Sequence, residues 1–150
     1  MRKNAYVPWA RIHMRDLIKT FKALSDETRI RILRLILERE CCVCEVMQAL
    51  NISQTRASRN LRILQDAGFL KLRKDGLWSL YSIEEEGMKE YSSELVEAVR
   101  KALHDNKVVA QDRKRLKQAR RVGPGCVRPP RSRLPSPSSK ARRKAGVHDA

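Results

Sequence analysis

Apolar residues at Met14, Leu17, Ile18, Phe21 and Leu24 fall three and four positions apart, the spacing of a helix with one buried face. That spacing predicts a helix over residues 10–24. Ser25 then reads as an N-cap, followed by Asp26 and Glu27 in a first turn where the helix dipole favours negative charge. The helix so opened carries Ile30, Leu33, Ile36 and Leu37 inward and runs to about Arg39, a cation suited to a C-terminus. Val43, Val46, Met47 and Leu50 mark a short helix near 43–50. After the tight Asn51-Ile52-Ser53 connection, Ser53 caps a further helix over 53–67, with Ala57, Leu61 and Leu64 inward and Gly68 as its stop. The period then changes from helical to alternating. Phe69 to Arg73 alternates apolar and basic residues, Asp75-Gly76 is a turn dipeptide, and Leu77 to Ile83 resumes with Trp78, Leu80 and Tyr81. Helical spacing returns over 85–104 at Met88, Tyr91, Leu95, Val99, Ala102 and Leu103.

A short helix, a three-residue turn and a capped second helix make the outline of a helix-turn-helix, and the hairpin over 71–82 reads as a wing. The predicted fold class is therefore mainly α with a small β-hairpin, a winged helix-turn-helix. The apolar stripe of 85–104 exceeds what a small domain with four helices needs, so the terminal helices predict a homodimer interface. Residues 1–9 are expected to be a flexible N-terminus and residues 10–104 the DNA-binding and dimerisation domain. Residues 105–121 are expected to be a basic helical extension. From 122 to 150, Pro, Ser, Gly and Arg replace any periodicity, the composition of a disordered tail.

The net charge of +16 changes this picture less than its size suggests. Residues 1–112 hold 20 basic and 16 acidic residues, a net of +4, whereas residues 113–150 hold 13 and 1, a net of +12. Support for a nucleic-acid partner thus has to come from pattern. Removing the inward face of the 53–67 helix leaves Gln54, Thr55, Ser58, Arg59 and Arg62 outward. No acid lies anywhere from Ser53 through Gln65. Gln can pair bidentately with adenine and Arg with guanine, while Ser, Thr and the helix N-terminus reach phosphate. Arg59 is the best candidate for reading a base edge. Lys71, Arg73 and Lys74 of the wing suit phosphate or minor-groove contact, or equally protect a strand edge from pairing. The expected partner is double-stranded operator DNA. The apolar run Ile30–Leu37 is broken by two arginines, and the charged start lacks a signal-peptide core, so no membrane association and a cytoplasmic location are expected.

Cys41, Cys42 and Cys44 stand at the start of the short helix, too close together to staple separate elements. A helix N-terminus and Arg39 both favour thiolates, and thiolates so clustered suit a soft ion. On a regular helix residues i and i+2 point about 200° apart. Cys42 and Cys44 on such a helix grip one ion only if its first turn distorts, which would disturb the element that positions the 53–67 helix. Three other readings stand beside this one. The cysteines can be small core residues; Cys41 and Cys44 can form a redox C-x-x-C pair; or a structural zinc site can recruit Cys126, His13 or His104 to complete four ligands. An enzyme is not expected, since a phosphatase-like C-x5-R loop would need Arg at 47, 48 or 50, where Met, Gln and Leu stand. No Ser/His/Asp set or glycine-rich phosphate loop occurs either, and no permanent cofactor or small-molecule substrate is expected.

Over roughly residues 17–83, and more loosely to 104, the chain resembles the ArsR/SmtB family of metalloregulatory repressors. The likeness rests on Leu24-Ser25-Asp26-Glu27-Thr28-Arg29 with Ile32-Leu33, and on Glu40-Cys41-Cys42-Val43-Cys44-Glu45-Val46, which is similar to the family's E-L-C-V-C-D-L ligand box. It also rests on Ser53-Gln54 with Ser58-Arg59-Asn60-Leu61. The resemblance implies a repressor that leaves its operator when a thiophilic ion binds, with Cys42 and Cys44 on the paired ligand positions. It implies arsenite or antimonite as the inducer, as in the arsenic-responsive branch. Cys41 replaces the usual leucine, and Met47 stands where some members place a third cysteine, so the third thiolate is Cys41 or comes from elsewhere. The cysteines that precede the domain in the cadmium/lead-sensing branch are missing. So are the paired Asp/His and His/Glu positions of the zinc-sensing branch, where only His104 is found.

Overall fold

The computed structural model describes residues 13–122; the expected flexible N-terminus 1–9, Cys126 and the tail beyond Val122 lie outside the described residues. Six helices and three strands follow in the order α1 (Met14–Leu24), α2 (Glu27–Ile36), β1 (Cys41–Cys42), α3 (Val43–Leu50), α4 (Gln54–Asp66), β2 (Leu70–Asp75), β3 (Trp78–Ile83), α5 (Glu90–Ala102) and α6 (Lys107–Gln118). The fold is a winged helix-turn-helix. Ile32, Leu33 and Leu35 of α2, Val46 and Ala49 of α3, Ala57, Leu61 and Leu64 of α4, and Phe69 are fully buried in one core. The helical periodicities of these segments meet there.

Several boundaries differ from expectation for local reasons. Asp26, not Ser25, caps α2: its Oδ1 accepts the Arg29 N–H at 3.0 Å, while Ser25 Oγ donates to the Lys22 carbonyl at 2.9 Å and so finishes α1. α2 ends at Ile36 rather than near Arg39, because the chain must straighten to enter β1. Gly68, at φ +86°, does close the helix that Ser53 opens. In the wing, Asp75 pairs with Trp78, so Gly76 and Leu77 are the two loop residues. Gly76 has φ +58°, the left-handed first position of a type II′ hairpin turn.

A third strand was not expected. β1 adds two residues to the hairpin, giving an antiparallel sheet ordered β1-β3-β2, with Cys41 opposite Tyr81 and Cys42 opposite Leu80. Nor does the last part of the domain extend its predecessor. α5 stops at Ala102, and Asn106 starts a new helix, its Oδ1 accepting from Val108 N at 3.0 Å and Val109 N at 3.1 Å. α6 then folds back on α2 and α3. Asp112, 1% exposed, accepts two bonds from the Arg31 guanidinium at 2.7 and 2.8 Å, and Arg115 donates to the same carboxylate. Arg115 also donates to the Ala49 carbonyl near the end of α3 at 2.6 Å. α6 thus packs on α2 and α3, with Leu116 in the main core. Met14, Ile18 and Phe21 of α1 are exposed, although their spacing predicted a buried face. Among the described residues no helix is long and apolar enough to cross a membrane.

Candidate nucleic-acid interface and thiol site

α4 is held by its neighbours so that one face stays open. Ser53 Oγ accepts the Arg56 N–H at 3.2 Å, the N-cap expected from the sequence and worth about 1 kcal/mol. Ala57, Leu61 and Leu64 fix the inner face, while Gln54, Thr55, Arg59 and Arg62 are exposed and Ser58 is half-buried. Arg59 and Arg62 form no ion pair among the described residues. A second-layer clamp sets the pitch of α4. Arg29 donates to the Ala23 carbonyl at 2.6 Å, the Lys22 carbonyl at 3.0 Å and Asn60 Oδ1 at 3.2 Å, tying the end of α1 to α4. Asn60 in turn donates to the Arg56 carbonyl, and Arg56 donates to Thr28 Oγ1 at 2.7 Å. Local spacing does not mark Arg29, Thr28 and Arg56 as positioning groups, because their partners lie up to 31 residues away.

The three wing cations do not form one patch. Lys71 and Arg73 share a face of β2 and Lys74 takes the other, as strand alternation requires. Arg73 is bound by the Glu40 carboxylate through two guanidinium nitrogens, one at 2.9 Å. That bond holds the Glu40 carboxyl below its ordinary range. Lys74 donates across the hairpin to Ser79. Of the wing candidates, Arg73 is thus paired with Glu40 on the surface beside the cysteines, its side chain 50% exposed.

Alternation also separates the cysteines. Cys41, on the inner face of β1, packs in the main core, where burial pushes its thiol up to about 12. Its Sγ lies 3.3 Å from the Arg39 carbonyl. Cys42 faces the other way and packs with Cys44, Leu80, Val43 and Trp78. Cys42 is the N-cap of α3 with extended backbone (ψ 169°), not a helical residue, so the i, i+2 divergence of a regular helix does not apply. The Cys42 and Cys44 sulfurs stand 2.8 Å apart. The expectation that they converge only by distorting α3 is therefore overturned. Cys41 and Cys44 are not brought together, and among the described residues no three His, Cys, Asp or Glu side chains form a metal-binding group.

A charged frame surrounds the pair. Buried Glu45 accepts the Cys42 N–H at 2.8 Å and Arg39 at 2.9 Å. Burial raises its carboxyl, but the Cys42 N–H and the Arg39 charge outweigh burial and leave it lowered. Arg121, just past α6, approaches the same carboxylate at 3.4 Å. Gln48 of α3 and Arg120 exchange two bonds, at 2.6 and 3.1 Å, so the end of α6 is fastened to the cysteine end of the domain.

Residues 26–76 match the family model described as bacterial regulatory protein, arsR family. Across 71 residues the chain is 42% identical to an uncharacterised HTH-type transcriptional regulator of Methanocaldococcus jannaschii, covering 47% of this chain and 80% of that protein. The chain belongs to the arsR family. It is 43% identical over 76 residues to a cadmium resistance transcriptional regulatory protein CadC homolog of Staphylococcus aureus. It is also 44% identical over 78 residues to the arsenic resistance transcriptional regulator ArsR1 of Pseudomonas putida. Those matches take in 50% and 49% of this chain and only 63% and 61% of the two relatives. Among solved structures, the family fold is matched by a homodimeric winged helix-turn-helix DNA-binding domain from Mycobacterium bovis. The TM-score is 0.52 at 26% identity, over 62% of this chain and 82% of that one.

Proposed function

We propose that the chain is a homodimeric transcriptional repressor of the cytoplasm. It binds double-stranded operator DNA through α4 and the wing, and releases it when arsenite or antimonite is held by Cys42 and Cys44. The observation that carries this reading is the pair of sulfurs 2.8 Å apart, one on a strand that is itself paired to the wing and the other on α3. With bonds of about 2.3 Å, as for zinc thiolates, two sulfurs sharing one ion stand roughly 3.3–3.8 Å apart. A side-chain rotation supplies that difference. Support for the family role comes from the relatives named for arsenic and cadmium resistance. Exposed Met14, Ile18 and Phe21 support dimerisation through α1.

The path from ion to DNA differs from one that unwinds α3. Cys42 lies opposite Leu80 of β3, and Glu40 holds Arg73 of β2, so a change at the cysteines pulls on the wing through backbone and ion pair together. Such a ligand shifts affinity only as far as it prefers the released conformation. A second reading rests on the same sulfurs, which are placed for oxidation to a Cys42–Cys44 disulfide in a thiol-based switch. Anisotropy of labelled promoter DNA, with arsenite, antimonite, zinc, cadmium or peroxide added in turn, separates the two. Arsenite release that is lost in Cys42→Ser and Cys44→Ser is the expected result. Release by peroxide alone favours the thiol switch, and release by cadmium or zinc alone changes the ion.

A further inference from the structure

We propose that Trp78 is the wall of the thiol site that yields to the bound ion and carries its presence to the tip of the wing; this inference rests on the reading of the Cys42–Cys44 pair given above. β3 presents two faces. Tyr81 and Ile83 pack in the main core, while Leu80, opposite Cys42, and Trp78, two residues nearer the tip, take the other face. That second face makes a small cluster of its own. Cys42, Cys44 and Leu80 are buried in it, and half-buried Val43 and Trp78 pack against them.

These walls are not equally free to move. Leu80 is fully buried in the central strand, paired with Cys42 on one side and Arg73 on the other. Val43 opens α3 and packs against the main core as well. Trp78 is half-buried, packs with the cysteine cluster alone, and stands at the last pair of the hairpin, opposite Asp75. An ion held by both sulfurs spreads them from 2.8 Å to roughly 3.3–3.8 Å and adds its own volume beside them. A close-packed cluster accommodates such an insertion by displacing the side chain that its surroundings hold least. Here that side chain is Trp78. The adjoining turn decides what it passes on. Only Gly76 and Leu77 separate Trp78 from Asp75, and Gly76 is set in the left-handed region at φ +58°. A loop this short has no slack, so movement of the indole re-aims the tip. Exposed Leu77 and Lys74, which donates across the hairpin to Ser79, move with it. This path is separate from the Glu40–Arg73 tie, which enters the wing through β2.

Full-length reduced protein carrying Trp9→Phe, which leaves Trp78 as the sole tryptophan, is titrated with arsenite while indole emission is followed. Emission should change in step with the near-ultraviolet sulfur–arsenic absorption that reports bound ion. In Trp78→Ala the same absorption should develop, but arsenite should release labelled operator less well; coupling between sites is typically about 5–150-fold, and about a tenfold loss of it is expected. Trp78→Phe, which keeps a ring against the sulfurs, should release operator nearly as the parent does, a rescue that a general loss of stability would not give. Indole emission unchanged by bound arsenite overturns the proposal, whether or not the alanine variant folds. Parent-like release in Trp78→Ala overturns it as well. If Cys42→Ser still binds arsenite as the parent does, the reading of the pair itself fails, a result distinct from either.

Discussion

α4 and α6 are both rich in arginine, yet their charges do opposite work. On α4, Arg59 and Arg62 project from a face with no acid and make no ion pair among the described residues. On α6, Arg113 binds Glu38 at 3.1 Å, Arg115 binds Asp112, and just beyond it Arg121 binds Glu45. A count of basic residues would rank α6 first as a DNA surface. Pairing reverses the ranking: cations already matched to carboxylates hold the protein together, and unmatched ones near a helix N-terminus are those the proposed function assigns to phosphate and bases.

The strongest way to break this contrast is Asp112→Ala. It leaves Arg31 and Arg115 without their shared carboxylate in a buried site, and a loss of about 3–5 kcal/mol in urea unfolding is expected. If stability holds, α6 is not the structural partner described. Arg59→Ala should do the reverse, leaving the unfolding midpoint in place and costing about 1–3 kcal/mol of operator affinity at fixed salt. A shifted midpoint with intact DNA binding would move Arg59 into the structural class. Arg73→Ala belongs between the classes. It should bind operator nearly as well as the parent, yet show a release by arsenite that is a few-fold smaller, because one of the two ties between cysteine strand and wing is cut. The smallest effect concerns Cys41. With its thiol pushed up to about 12 by burial, it should stay unalkylated by iodoacetamide at pH 8 in the folded protein and react only on unfolding; peptide mass mapping reads this directly.

These contrasts also show which parts of the molecule its sequence reveals. Ser53, Ala57, Leu61, Leu64 and Gly68 announce α4 and both its ends, because a helix is set by neighbours within one or two turns. Gly76 likewise marks the wing. What escaped notice depends on residues far apart in the chain. Cys41-Cys42 gives no strand pattern in two residues and becomes β1 only because Leu80 and Tyr81 lie opposite. Asn106 carries the signal of a fresh N-cap, but the surrounding cations hid the buried Asp112 that draws α6 inward. The exposed, acid-free face of α4 was legible from its pattern. The pairing of Arg73 was not, since nothing local tells that it meets Glu40, 33 positions away.

The bond between Arg31 and Asp112 joins positions 81 apart. Contacts across such a separation form late in folding, after the loop they close has been organised by nearer ones. α6 should therefore dock last and detach first, in a partial opening that leaves the α2–α4 core intact. Under the function proposed above, and with α6 and its following residues fastened to α3, that opening would set the pace at which an inducer reaches Cys42 and Cys44. The tempo of the response would then be written into an ion pair that touches neither the inducer nor the DNA.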